Sequence, residues 1–198
     1  MPFLRLTPSL WLTIALGVLM ILLGAFQSVT ETALEYSRSA ISDGQLWRFI
    51  TAHFIHYGPY HLAMNLGALM LCGWILFQEV SLRHYGLLVL TCLVGVSTGL
   101  YGFSPELDYY AGLSGALHGL LVAGVLITLR QTPWMNSLAL AVVVFKIVQE
   151  QLPGYDTSHS LLPVPVAVDA HLYGALTGLA WGLGVLGRGF RARPPLSK

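Results

Sequence analysis

GLSGALHGLLVAGVLITL, residues 112–129, carries the reading that decides the fold. It contains no charged residue and is close to the roughly 20 residues that a membrane-spanning helix needs. Yet it holds Ser114 and His118, and a small residue recurs every fourth position at Gly115, Gly119 and Ala123. Small-xxx-small stripes let two helix backbones approach closely in lipid. Comparable apolar runs lie at Ser9–Phe26, Tyr60–Phe77, Tyr85–Tyr101, Met135–Val148 and Val164–Leu186, and with 112–129 they make six candidate spans. The first run follows Arg5, but it is too long for a secretory signal and no A-x-A-like site follows it, so it reads as a span.

Composition agrees. Of 198 residues, 55% are hydrophobic and 10% charged, with a mean hydropathy of +0.68. Soluble domains carry roughly 25% charged residues, so a soluble globular domain is excluded. Six spans use most of the chain and leave one membrane domain over residues 1–198, an all-α bundle. A net charge of +1 offers no footprint for nucleic acid. Cys72 and Cys92 both fall inside apolar runs, which reads as packing and not as a disulfide framework. The one long connection, residues 27–59, mixes charge, aromatics and glycine, a pattern typical of a functional loop.

Lysine and arginine set orientation. With the amino terminus inside, cytoplasmic segments carry Arg5, Arg83, Arg130, Arg188, Arg191, Arg193 and Lys198, against Arg38 and Arg48 outside. Both termini are therefore expected to be cytoplasmic.

Polar groups in hydrocarbon are costly, and inside spans they are functional candidates by default. The second, fourth and sixth runs hold His61 and Asn65, Ser114 and His118, and Asp169 and His171. At 1.5 Å per residue, Ser114, His171 and Asn65 lie about 24, 26 and 21 Å from the first following charge, with His61 at about 27 Å. All sit at one level nearer the outer face. The sixth run repeats glycine at Gly174, Gly178 and Gly182, so spans four and six are expected to meet and bring Ser114 to His171. A serine becomes nucleophilic when a histidine takes its proton. His61 and Asn65, spaced i,i+4, are placed to donate to an oxyanion together with the Ser114 N–H.

The GxSG of Gly112 to Gly115, the HxxxN of His61 to Asn65 and the AHxxGxxxG of Ala170 to Gly178 together resemble the rhomboid intramembrane serine proteases. Trp47-Arg48 resembles the first-loop WR motif of that family, and His56 also fits. Short length, the GLSGALHG wording and the Lys146 to Gln151 stretch are most similar to the rhombosortase subgroup. The resemblance implies a six-span bundle in a bacterial inner membrane, with its active site opening to the periplasm. It implies Ser114 as nucleophile, His171 as general base, a dyad without a third acid, and neither cofactor nor metal. The implied substrates are transmembrane or carboxy-terminally anchored proteins in the lipid bilayer, cut near a Gly-Gly sorting tail.

Four points stay open at this level. Ser114, His171, His61 and Asn65 each have a plain packing or hydrogen-bonding alternative. His118, where many rhomboids carry an aromatic residue, leaves two histidines available to take the proton. Lys146 and Glu150, spaced i,i+4, either neutralise each other or line a substrate entrance. Asp169 lies about 200° around a helix from His171, so it is assigned no triad role. Two other functions compete: a non-catalytic rhomboid-like protein that binds membrane clients, and a metal protein using His53, His56 and His61 with His118 and His171. The metal reading has no H-E-x-x-H signature behind it.

Overall fold

The computed structural model describes residues 6–158 and 162–187. Arg5, Arg188, Arg191, Arg193 and Lys198, five of the charges behind the orientation argument, lie outside the described residues. The elements run α1 (Pro8–Ala25), α2 (Gln27–Leu34), β1 (Tyr36–Ser37), α3 (Arg38–Ser42), α4 (Arg48–Thr51), a 3-10 turn (Ala52–Phe54), α5 (Pro59–Leu76), α6 (Leu82–Phe103), β2 (Tyr109–Tyr110), α7 (Ser114–Ile127), α8 (Pro133–Glu150) and α9 (Val168–Gly187).

All six apolar runs form helices, but their ends differ from the expected ones for local reasons. The run expected at 85–101 extends over 82–103 because Ser81 caps it, its hydroxyl accepting from His84 N–H. Prolines at the start of α1, α5 and α8 occupy positions where no intrahelical N–H is needed. The fourth helix starts at Ser114 and not at 112, since Gly112 takes φ +120°, a conformation outside the helical region. The sixth starts at 168 and not at 164. Pro163 and Pro165 keep the residues before them out of the helix, because a proline disfavours helical backbone in the residue that precedes it.

Three of the described helices, α1, α5 and α6, are long and apolar enough to cross a membrane, and α7 is a shorter apolar helix. Polar residues distinguish α8 (Asn136, Lys146, Gln149, Glu150) and α9 (Asp169, His171). Large apolar side chains point outward from α1 (Trp11, Ile21, Leu22), α5 (Leu71, Trp74, Ile75) and α8 (Trp134, Phe145, Val148). An outer surface this apolar suits lipid and not water.

At the centre stands α7, with eleven residues buried. Its glycines explain how. A Cβ at Gly115 would lie 2.8 Å from the Ala170 carbonyl oxygen, and one at Gly119 would lie 2.6 Å from that of Gly174. In return, Cβ atoms at Gly174 and Gly178 would overlap the carbonyl oxygens of Gly115 and Gly119. The two stripes read from the sequence therefore face each other, and α7 and α9 meet backbone to backbone.

Within residues 27–59, expected as a loop, lie three short helices and a strand. Tyr36 pairs with Tyr110 in an antiparallel two-stranded sheet that ties this segment to the approach to Ser114. Arg48 is buried and donates to Glu35 O (2.6 Å), Thr32 O (3.0 Å) and Gln45 Oε1 (2.9 Å), so the arginine of the WR pair braces the segment from within while Trp47 is exposed. Arg38 donates to the Leu100, Tyr101, Ser104 and Leu107 carbonyls (2.8–3.1 Å). Two of these acceptors, Leu100 O and Tyr101 O, lie in the last turn of α6, where carbonyls run short of intrahelical partners and the macrodipole favours a cation.

Candidate active site

Gly112 prepares the site. Its positive φ turns the chain into α7, its N–H donates to Ala52 O (3.0 Å), and Tyr110 Oη donates to its carbonyl (2.6 Å). A Cβ there would stand 2.5 Å from the His61 ring. Only glycine allows both this backbone turn and the approach of His61.

Ser114 is the first residue of α7. The opening N–H groups of a helix have no intrahelical acceptor and the macrodipole is positive there, so a negative charge developing beside Ser114 meets donors. Close packing of α7 on α9 brings His171 to it: Ser114 Oγ lies 3.0 Å from His171 Nε2. His171 is buried, at 5% exposure.

On the other side of the ring, His171 Nδ1 lies 3.0 and 3.1 Å from the two carboxylate oxygens of Glu150. Glu150 closes α8 and is itself 5% exposed. Lys146 Nζ donates to Glu150 Oε1, and it stands 3.4 Å from His171 Nδ1. The i,i+4 pairing of Lys146 with Glu150 is thus present, but the expectation that the pair only neutralises itself or lines an entrance is incomplete. The carboxylate bonds to the histidine. A chain of three groups, Glu150, His171 and Ser114, stands where the resemblance implied two.

His118 does not compete for the serine hydroxyl. Its Nδ1 donates to the Ser114 carbonyl (2.8 Å), and its ring stacks on His171 with centroids 4.2 Å apart and planes 24° off parallel. It takes the place of the aromatic residue that the family pattern carries there. Asp169 accepts from Ser104 Oγ (2.5 Å), so it faces α6 and not His171.

His61 and Asn65 are buried and line the same cavity as His171. Asn65 donates one N–H to His61 O (2.9 Å), which leaves its second N–H available. His61 Nδ1 and Asn65 Oδ1 have no protein hydrogen-bond partner among the described residues. A cavity of about 420 Å³ joins His61, Asn65, Ser114, His118, Glu150 and His171, walled by apolar side chains such as Met64, Ala68 and Leu121. A second cavity of about 310 Å³, bordered by Tyr57, Tyr109 and residues 164–167, shares Ser114 and His61 with the first. Ser114 therefore stands where an apolar chamber meets a more polar one.

Two further histidines, His53 and His56, anchor or line the first-loop segment. His53 Nε2 lies 2.9 Å from Leu93 O and from Ser97 Oγ, and burial presses its pKa down to about 4. His56 packs edge-on to His61 at 4.9 Å, and burial, then the His61 ring, hold it near 3. Both are neutral near pH 7. Among the described residues, no group of three or more His, Cys, Asp or Glu side chains is placed to hold a metal ion.

Spacing gave Glu150 only Lys146 as a partner or a place at the entrance, and did not show its contact with His171. The signal that marks it is a carboxylate in the last turn of an apolar helix, where the macrodipole opposes it.

Comparison with known proteins agrees with the motifs. Residues 43–188 match the Rhomboid domain family. The chain is 32% identical over 154 residues to Rhomboid-type serine protease 2 of Emericella nidulans, covering 72% of this chain and 27% of that protein. It is 30% identical over 164 residues to the mitochondrial RHOMBOID-like protein 6 of Arabidopsis thaliana, covering 81% and 50%. Rhomboid protease GlpG of Yersinia pestis is 28% identical over 171 residues, covering 85% and 58%. The chain spans about a quarter to three-fifths of the length of these relatives. With apolar helices of spanning length in the fold and this match over most of the sequence, the protein is a multi-pass helical membrane protein and belongs to the rhomboid family.

Proposed function

We propose that the chain is an intramembrane serine endopeptidase, a hydrolase in which Ser114 is the nucleophile and His171 the general base. The observation that carries this reading is the 3.0 Å contact between Ser114 Oγ and His171 Nε2 inside a buried cavity. Ser114 Oγ attacks the scissile carbonyl as its proton passes to His171 Nε2. The oxyanion is met by the free N–H groups opening α7, by the spare N–H of Asn65, and by His61. His171 then gives its proton to the leaving amine, and water, deprotonated by the same imidazole, hydrolyses the acyl-enzyme.

The domain is read as residues 1–198 with six spans (α1 and α5 to α9), and with both termini cytoplasmic. In a bacterial inner membrane, that orientation opens Ser114 to the periplasm. At 14 residues α7 rises about 21 Å, less than the hydrocarbon layer of about 30 Å, which favours a nucleophile below the membrane surface. Substrates are transmembrane or carboxy-terminally anchored proteins that reach Ser114 from the bilayer. By resemblance to rhombosortases, they are exported proteins whose Gly-Gly-containing tail is removed. Glycine would help the substrate helix open, since it costs about 1 kcal/mol in a helix relative to alanine.

Mass spectrometry of secreted and membrane fractions with Ser114 intact and with Ser114→Ala tests this substrate class. The expected result is a set of proteins that keep their carboxy-terminal anchors only in the variant, with cleavage beside Gly-Gly in the wild type. Identical anchored proteomes would overturn it.

Asn65→Ala is expected to slow cleavage about 10- to 100-fold, less than a sole oxyanion donor would, because the α7 N–H groups remain. Purified wild type and variant compared on one cleaved substrate at saturation give the number. An unchanged rate would remove Asn65 from the oxyanion site.

A further inference from the structure

Resting on Ser114 and His171 as nucleophile and base, we infer that Glu150 is a positioning residue that holds His171 in its productive tautomer, making the pair a three-membered Ser114-His171-Glu150 relay. The argument turns on what His171 Nδ1 faces. Its neighbours are a carboxylate, at 3.0 and 3.1 Å, and an ammonium, Lys146 Nζ, at 3.4 Å.

A carboxylate only accepts hydrogen bonds and an ammonium only donates them, so the two neighbours ask for opposite tautomers. Glu150 puts the proton on Nδ1 and leaves the Nε2 lone pair facing Ser114 Oγ. If Lys146 were the partner, Nδ1 would accept and Nε2–H would point at the serine, which could then give up no proton to it. Glu150 wins on distance and on number of acceptor oxygens, while Lys146 is drawn to the carboxylate itself.

The surroundings fit this role better than simple neutralisation. Glu150 is buried at the carboxy-terminal end of α8, the wrong end of a helix for a negative charge. A surface pair would avoid that placement. Lys146 compensates the charge from a half-exposed position, which lets the carboxylate remain ionised among apolar neighbours. As His171 takes the serine proton, the imidazolium forms next to this fixed negative charge, where low polarity strengthens the attraction. His118, stacked on His171 and tied to Ser114 O, restrains rotation of the ring. Besides Lys146 and Glu150 from α8, the titratable groups near His171 are His118 from α7 and His61 from α5.

The test uses a fluorophosphonate probe, which reports the serine and its base without needing the natural substrate. Full-length wild type, Glu150→Gln, Glu150→Ala and Glu150→Asp are labelled across probe concentrations to separate the maximal labelling rate from the half-saturating concentration. Melting temperatures are recorded on the same samples. Glu150→Gln keeps the shape and is expected to lower the maximal rate about 10²- to 10⁴-fold. The half-saturating concentration and melting temperature should stay near wild type. Glu150→Asp should recover part of the rate, and formate should raise the rate of Glu150→Ala.

A Glu150→Gln rate within threefold of wild type would overturn the inference while leaving Ser114 and His171 in place. So would a loss matched by Glu150→Asp and accompanied by a fall in melting temperature, which is the signature of a structural role. Absence of Ser114-dependent labelling in the wild type would instead overturn the nucleophile assignment, and this inference with it.

Discussion

Ser114→Ala and His171→Ala are each expected to reduce peptide-bond cleavage and fluorophosphonate labelling below detection. The expected loss is about 10⁵- to 10⁶-fold, the scale on which removal of either member of a serine–histidine unit acts. Ser114 Oγ bonds to His171 Nε2, and deleting one hydroxyl at the start of α7 leaves the glycine packing below it intact. The melting temperature of Ser114→Ala should therefore stay within a few degrees of wild type. His171→Ala leaves Glu150 with Lys146 as its partner and costs more stability, but the helices remain held by the Gly115–Gly174 and Gly119–Gly178 contacts. Purified proteins in detergent and in liposomes, assayed for labelling and for melting, provide both numbers. Wild-type activity in His171→Ala together with loss in His118→Ala would transfer the base role to His118. A wild type that binds membrane clients but is never labelled would favour the client-binding reading.

The second large effect is on stability. Gly174→Ala is expected to destabilise the protein by about 3 kcal/mol, at the upper end of ordinary overpacking, because the new methyl group would overlap the Gly115 carbonyl oxygen. A backbone oxygen cannot rotate away as a flexible side chain can. Helices α7 and α9 must separate, and with them Ser114 and His171. A displacement near 1 Å at reacting atoms costs about 10²-fold in rate, so activity should fall along with melting temperature. Gly184→Ala, lower on the same helix with open space around it, serves as control. It should leave activity unchanged and hold or raise stability, since alanine exceeds glycine in helix preference by about 1 kcal/mol. Equal behaviour of the two variants would mean that the glycine stripes do not set the distance between these helices.

Much of this was legible in the residues. The six apolar runs anticipated the six long helices because hydrophobic length is a local property. The two glycine stripes anticipated which helices touch because close approach leaves few residue types at the contact. Helical geometry alone also kept Asp169 away from His171, and the structure turns it toward Ser104. The short elements between 27 and 59 were less legible, since they are held by Arg48 and Arg38 reaching carbonyls far along the chain.

The sequence by itself determined that the protein is an apolar helical bundle and that Ser114 and His171 each stand beside a small-residue stripe. Only the tertiary structure decided what faces the far side of the His171 ring. Residue spacing gives depth along each helix, but azimuth is set by packing between helices. Lys146 and Glu150 could be paired from their spacing on one helix. That the Glu150 carboxylate crosses from α8 to His171 Nδ1 depends on how α8 leans on α7 and α9 through Val143 and Ile147. That angle is a property of three helices packed together and is not written in any one of them.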